Sequence, residues 1–161
     1  MNEARILDRT VPRQQQEWDI KGALNFILGG AGSGLLVAAP FAAMLRADPR
    51  PFVALGLVLV AGGLFSVWLK IGRPWRAFHV VRRPSTSWMT REGIVAVPVF
   101  LCGLAAVWFG GGVFVGMAAL LGVLFLYCQG RILQASKGIP AWREPKIVPL
   151  ILATGFVEGA G

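Results

Sequence analysis

The chain has 161 residues, 55% of them hydrophobic and only 15% charged, with a mean hydropathy of +0.63. That balance excludes an ordinary soluble domain and marks an integral membrane protein. The formal net charge of +8 would suggest nucleic acid in a soluble chain, but the cations are confined to the connections between long apolar runs, so membrane topology accounts for them and no nucleic-acid partner is expected.

Residues 1–21 form a polar leader with Arg5, Arg9, Arg13 and Lys21 against Glu3, Asp8, Glu17 and Asp19. It lacks the apolar core and small-residue cleavage site of a secretory signal and has no adjacent arginines, so it is expected to stay on the mature chain. Residues 22–45 carry no charge and are long enough to cross about 30 Å of hydrocarbon at roughly 1.5 Å per residue, which predicts helix one. Within it Gly30 and Gly34 have GxxxG spacing, which lets another helix approach closely. The segment is no dinucleotide fingerprint, because no strand precedes these glycines. Asn25 is an amide in an apolar helix and needs a partner there, on another helix or on a ligand.

Asp48 and Pro49 read as a turn into helix two, 52–69, again uncharged. A basic loop follows, 70–92, with Lys70, Arg73, Arg76, Arg82, Arg83 and Arg91 against one acid, Glu92. The uncharged run that begins at Gly93 is close to two bilayer thicknesses long, and Gly110, Gly111 and Gly112 interrupt it, so it divides into helix three, 93–109, and helix four, 113–130. After a polar link an apolar run restarts at Ile147 and reaches Gly161, broken only by Thr154 and Glu158. It falls short of the roughly 20 residues of a crossing. The expected fold is therefore an all-α antiparallel membrane bundle, four transmembrane helices and the start of a fifth over 22–161, belonging to a larger bundle that a further segment or another chain completes.

Alternation places the leader, the basic loop and the link with Arg131, Lys137, Arg143 and Lys146 on one side, and only Arg46 and Arg50 on the other. The positive-inside rule then puts the N-terminus and the basic loop in the cytoplasm, on a multi-pass protein of the inner membrane. Cys102 and Cys128 lie in apolar runs with no CxxC pair, so neither a metal site nor an iron–sulfur cluster is indicated. His79 is the sole histidine and lies in the loop, which excludes bis-histidine haem.

The stretch IGRPWRAFHVVRRPSTSWMTREGIVA resembles the loop between helices two and three in the membrane anchor subunits of dimethyl sulfoxide reductase and polysulfide reductase type molybdoenzymes. It joins Gly-Arg-Pro, Arg-Ala, Thr-Ser-Trp and Arg-Glu at fixed spacing, and the glycine-rich first helix supports it. The leader and first helix, RQQQEWDIKGALNFILGGAGSG, are similar to the membrane subunit of phenylacetyl-CoA:acceptor oxidoreductase, of the same group. The resemblance implies a cofactor-free anchor that holds an iron–sulfur subunit, which in turn carries a molybdopterin catalytic subunit, and that exchanges electrons with membrane quinone. Two family positions carry over: the acid of the Arg-Glu pair falls on Glu92, and the residue two before the Gly-Arg-Pro glycine falls on Lys70. In the dimethyl sulfoxide reductase type that second position is a histidine; the lysine here keeps a hydrogen-bond donor and adds a permanent charge.

The residues themselves agree in outline. A quinone head group needs donors and a titratable group at the edge of the hydrocarbon, and Glu92, Lys70, Arg73 and Asn25 are the candidates; equally, Glu92 suits a helix-terminal acid paired with Arg91 or Arg73. Arg76, His79, Arg82, Arg83 and Trp88 are candidates for contact with the iron–sulfur partner. The arginines would suit anionic lipid equally well, and Trp75, Trp88 and Trp142 an interfacial belt. Two other functions fit the same features: a purely structural anchor with its quinone site on another chain, or a small transporter with an ion path through Asn25 and Glu158.

Overall fold

The computed structural model describes residues 19–70, 87–136 and 139–160. Their regular structure is entirely helical: α1 (Ile20–Met44), α2 (Arg50–Lys70), α3 (Trp88–Phe109), α4 (Gly112–Ala135), a 3-10 turn (Pro140–Arg143) and α5 (Ile147–Ala160). Helices α1 to α4 are long and apolar enough to cross a membrane, and α5 is shorter.

Local chemistry sets the helix ends. Asp19 caps α1 by accepting from the Gly22 N–H at 3.0 Å, the side-chain device that satisfies an orphan donor at a helix start. The α1–α2 turn passes through Arg46 at φ 61°, and Asp48 accepts from the Arg50 N–H at 3.0 Å as α2 begins. Ser87 caps α3 through the Thr90 N–H, 3.3 Å. Gly110 (φ 70°) and Gly111 (φ 88°) make the reversal into α4, a conformation that residues with a Cβ adopt only under strain.

Two boundaries differ from those that charge suggests. Helix α3 begins at Trp88 rather than Gly93, and α4 runs to Ala135 rather than Gly130. Charge marks where a helix leaves the hydrocarbon, whereas the cap marks where the helix itself ends. Arg91, Glu92 and Arg131 are therefore helical, and Glu92 lies in the second turn of α3.

Helix α1 is the hub, packed against α2, α4 and α5, while α3 closes the bundle against α2 and α4. Small residues make this possible. A Cβ on Gly32 would stand 2.6 Å from the Gly56 carbonyl oxygen of α2. Gly34 meets the backbones of Gly155 and Gly159, so the Gly30–Gly34 spacing on α1 faces a matching Gly155–Gly159 spacing on α5. Glu158 is exposed on α5, its carboxylate 3.4 Å from where a Cβ on Gly30 would be. Leu36, Val53, Leu57, Val60, Val99 and Phe125 fill the interior, whereas Leu101, Trp108 and Leu120 point outward from the long helices, as lipid-facing side chains do.

Candidate functional site, a buried amide and carboxylate cluster

Near the end of the bundle where α1 and α3 start and α4 ends, three polar side chains meet in an otherwise apolar interior. Asn25, Glu92 and Gln129 are each at most 3% exposed. The Asn25 Nδ2 donates to Glu92 Oε1 at 3.3 Å, and the Gln129 Nε2 donates to the Asn25 backbone carbonyl at 3.1 Å. The Gln129 side chain also lies against the Glu92 carboxylate. Glycine opens the space: a Cβ on Gly29, one turn beyond Asn25, would collide with the Gln129 amide, and a Cβ on Gly63 of α2 would stand 3.1 Å from the Asn25 carbonyl oxygen.

Two acceptor oxygens in this cluster, Asn25 Oδ1 and Gln129 Oε1, are buried without a donor among the described residues. Buried polar atoms are rarely left so. The arrangement therefore has hydrogen-bond capacity for a hydroxyl donor beside a carboxyl group that can exchange a proton. Among the described residues no group of three or more His, Cys, Asp or Glu side chains comes together.

Of the residues singled out in the sequence, Asn25 and Glu92 are brought together. Lys70, at the end of α2, reaches Asp19 at 3.2 Å, both side chains partly exposed. The Gly22 N–H and, secondarily, Lys70 hold the Asp19 carboxyl below its ordinary range. Trp88 lies at the same end, with the Arg91 and Arg131 guanidinium groups 4.1 and 4.8 Å from its ring. Arg73, Trp75, Arg76, His79, Arg82 and Arg83 lie outside the described residues. Gln129 is the member of the cluster that the sequence alone did not single out, although an amide inside an uncharged run is the same signal that marks Asn25.

At the opposite end an open cavity of about 550 Å³ is bounded by Pro40, Asp48, Arg50, Ala106, Gly110 and Val115. It is separate from the polar cluster and contains none of the candidate residues.

The sequence model of the family described as DMSO reductase anchor subunit (DmsC) matches residues 50–159. The C subunit of sulfite dehydrogenase from Allochromatium vinosum is 31% identical, over 81% of this chain and 49% of that protein. The chain thus spans about half the length of the curated relative it matches. No solved structure matches. With a helical membrane bundle and a family match that runs from the start of α2 through most of α5, the chain belongs to the DMSO reductase anchor subunit family.

Proposed function

We propose that this anchor subunit passes electrons between a partner iron–sulfur subunit and membrane quinone, and that the quinone head group binds at the Asn25–Glu92–Gln129 cluster. The observation that carries the reading is the buried cluster itself. A hydrogen bond between helices in a membrane contributes about 0.6 kcal/mol on average, whereas a charged side chain at mid-membrane costs about 2.5–3.5 kcal/mol. Even near a helix end, an acid is a poor choice for holding helices together when glycine and leucine would serve. An acid kept there, with two acceptor oxygens unspent beside it, fits a ligand that brings hydroxyl donors.

A quinone and its quinol form interconvert by two electrons and two protons at the ring oxygens. When quinol is oxidised, its two electrons pass to the iron–sulfur partner, one proton passes to the Glu92 carboxylate and the other to water at the membrane edge, and the reverse transfers reduce quinone. Asn25 fixes the carboxylate by donating to Oε1, and its own Oδ1 is free for a hydroxyl. Gln129, seated in the Gly29 notch, offers a second acceptor. Such proton transfer requires hydrogen-bond reach and contributes about 10²–10⁴-fold to rate. By the family resemblance Lys70 and Arg73 are further members of the proposed site, Lys70 exchanging its contact with Asp19 for the ligand.

The partners follow from the same reading: an iron–sulfur subunit held by Arg76, His79, Arg82, Arg83 and Trp88, and beyond it a molybdopterin catalytic subunit, with the metal cofactors on those chains. The excess of Lys and Arg in the leader, the basic loop and the link over 131–146 supports a cytoplasmic placement of those segments, and with them of both partners, at the inner membrane. A cytoplasmic catalytic partner suits a coenzyme A thioester, a substrate that does not cross membranes. The relative from a sulfite dehydrogenase supports an anchor over a transporter.

A photoreactive quinone tests the location, because the two ends of the bundle offer different sites. Cross-links on α1 near Asn25 and on α3 near Glu92 are expected. Cross-links confined to the cavity around Arg50 and Gly110 would move the site to the other membrane face.

A further inference from the structure

We infer that the quinone's isoprenoid tail lies in a cleft between α2 and α3, open to the lipid beside Gly93, and that the head group reaches the Asn25–Glu92–Gln129 cluster sideways through that cleft. The inference rests on the quinone reading and adds to it the route and the seat of the tail.

Helices α2 and α3 touch closely at one depth and part toward the end that holds the cluster. A Cβ on Gly103 of α3 would stand 2.7 Å from the Leu57 side chain of α2. From Gly103 toward the start of α3, Ala96, Gly93 and Met89 recur on the same side at helical spacing; Ala96 is buried, whereas Gly93 and Met89 are exposed. Leu64 and Trp68 follow Leu57 along α2 in the same way, and exposure rises again, Leu64 packing against the core and Trp68 standing exposed. A Cβ on Gly93 meets nothing within 4 Å among the described residues. The two sides stay level, since the rise from Leu57 to Trp68 is about 16 Å and that from Gly103 to Gly93 about 15 Å.

The opening therefore stands at the depth of Glu92, the neighbour of Gly93, and its walls are apolar. Phe65 stacks on Trp68 with ring centroids 5.6 Å apart, and both are exposed, as is Met89 across the cleft. Rigid rings and a flexible thioether suit a branched hydrocarbon chain, and Gly93 leaves the space for it. The cluster itself is closed, with Glu92 only 3% exposed, so the head group enters when the first turns of α3 swing outward. Pro98 lies within α3 between the open Gly93 and the tight contact at Gly103. Having no N–H, it leaves the Ile94 carbonyl without its helical donor, so the hinge falls there.

Photo-cross-linking of the assembled wild-type complex tests the route and needs no variant to fold. Two quinones of the same head group and tail length are compared, one photoreactive at the head and one in the first isoprene unit of the tail. The head probe should mark α1 near Asn25 and α3 near Glu92, and the tail probe should mark Trp68 or Met89. A tail probe that marks neither, while the head probe still marks the cluster, overturns the route and leaves the quinone reading standing. A head probe that misses the cluster overturns both. In turnover assays Gly93→Leu should raise KM about tenfold for a long-tailed quinone and much less for a tail-less analogue, an effect read in KM rather than kcat. Gly116→Leu on α4, where a Cβ also meets nothing within 4 Å, should alter neither. An unchanged KM, or an equal rise for both quinones, would reject the tail seat.

Discussion

Asn25 on α1 and Glu92 on α3, 67 positions apart in the chain, are joined by a hydrogen bond of 3.3 Å inside the bundle. If Asn25 acts by orienting the Glu92 carboxyl group, the two residues form one functional unit. Asn25→Ala should then lower quinone-linked turnover about tenfold, and Asn25→Ala with Glu92→Gln should be little worse than Glu92→Gln alone, since residues acting together give non-additive losses. Multiplying losses in steady-state kinetics would show two separate roles.

The close approach of α1 to α5 rests on absent side chains. Gly34→Val places a side chain against the Gly155 and Gly159 backbones and should destabilise the bundle by about 1–3 kcal/mol. Gly116→Val is the matched control, because a Cβ there meets nothing within 4 Å. Thermal melts in detergent should separate the two variants clearly, and equal melting temperatures would contradict the helix contact.

Asp19 gives the start of α1 a dependence on pH. Its carboxyl is held below the ordinary value by the Gly22 N–H and Lys70, so the folded pKa is depressed relative to the unfolded one. The associated stability is fully present above the unfolded value and is lost as pH falls through the folded one. Asp19→Asn keeps a capping side chain but removes the titration. Below about pH 4 the variant should lose less stability than wild type, as read from melting temperature against pH. Parallel curves would remove Asp19 from the account.

Orientation is open to a direct check. In a background without Cys102 and Cys128, a cysteine at Ser85 should react only with reagents that reach the cytoplasm, and one at Asp48 with impermeant reagents from outside. The reverse pattern would place the basic loop and its partner in the periplasm.

Much of the bundle was legible because hydrocarbon imposes a simple rule: uncharged runs of sufficient length become helices, and Gly30 and Gly34 announced a close contact that Gly155 and Gly159 supply. Charge misplaced the start of α3 and the end of α4, since Arg91, Glu92 and Arg131 are helical residues near the membrane edge. The pairing of Asn25 with Glu92 was suggested by the need of a lone amide for a partner. The place of Gln129 was not, because it depends on the Gly29 notch, a feature of how α1 and α4 lie together. Lys70 was grouped with Glu92 through the family resemblance, whereas its contact with Asp19 follows from the antiparallel pairing of α1 and α2. The basic residues from Arg73 to Arg83 lie outside the described residues, so their proposed contacts rest on sequence and resemblance.

Steady-state turnover of the assembled complex carrying Glu92→Gln, measured with a quinone and, separately, with an artificial soluble acceptor, tests Glu92 as the proton-exchanging group. A role in proton exchange predicts that quinone-linked turnover falls about a hundredfold or more while reduction of the soluble acceptor and attachment of the partner subunits stay at wild-type levels. Normal quinone kinetics with the partners still bound would contradict the account and leave Glu92 as a structural acid of α3.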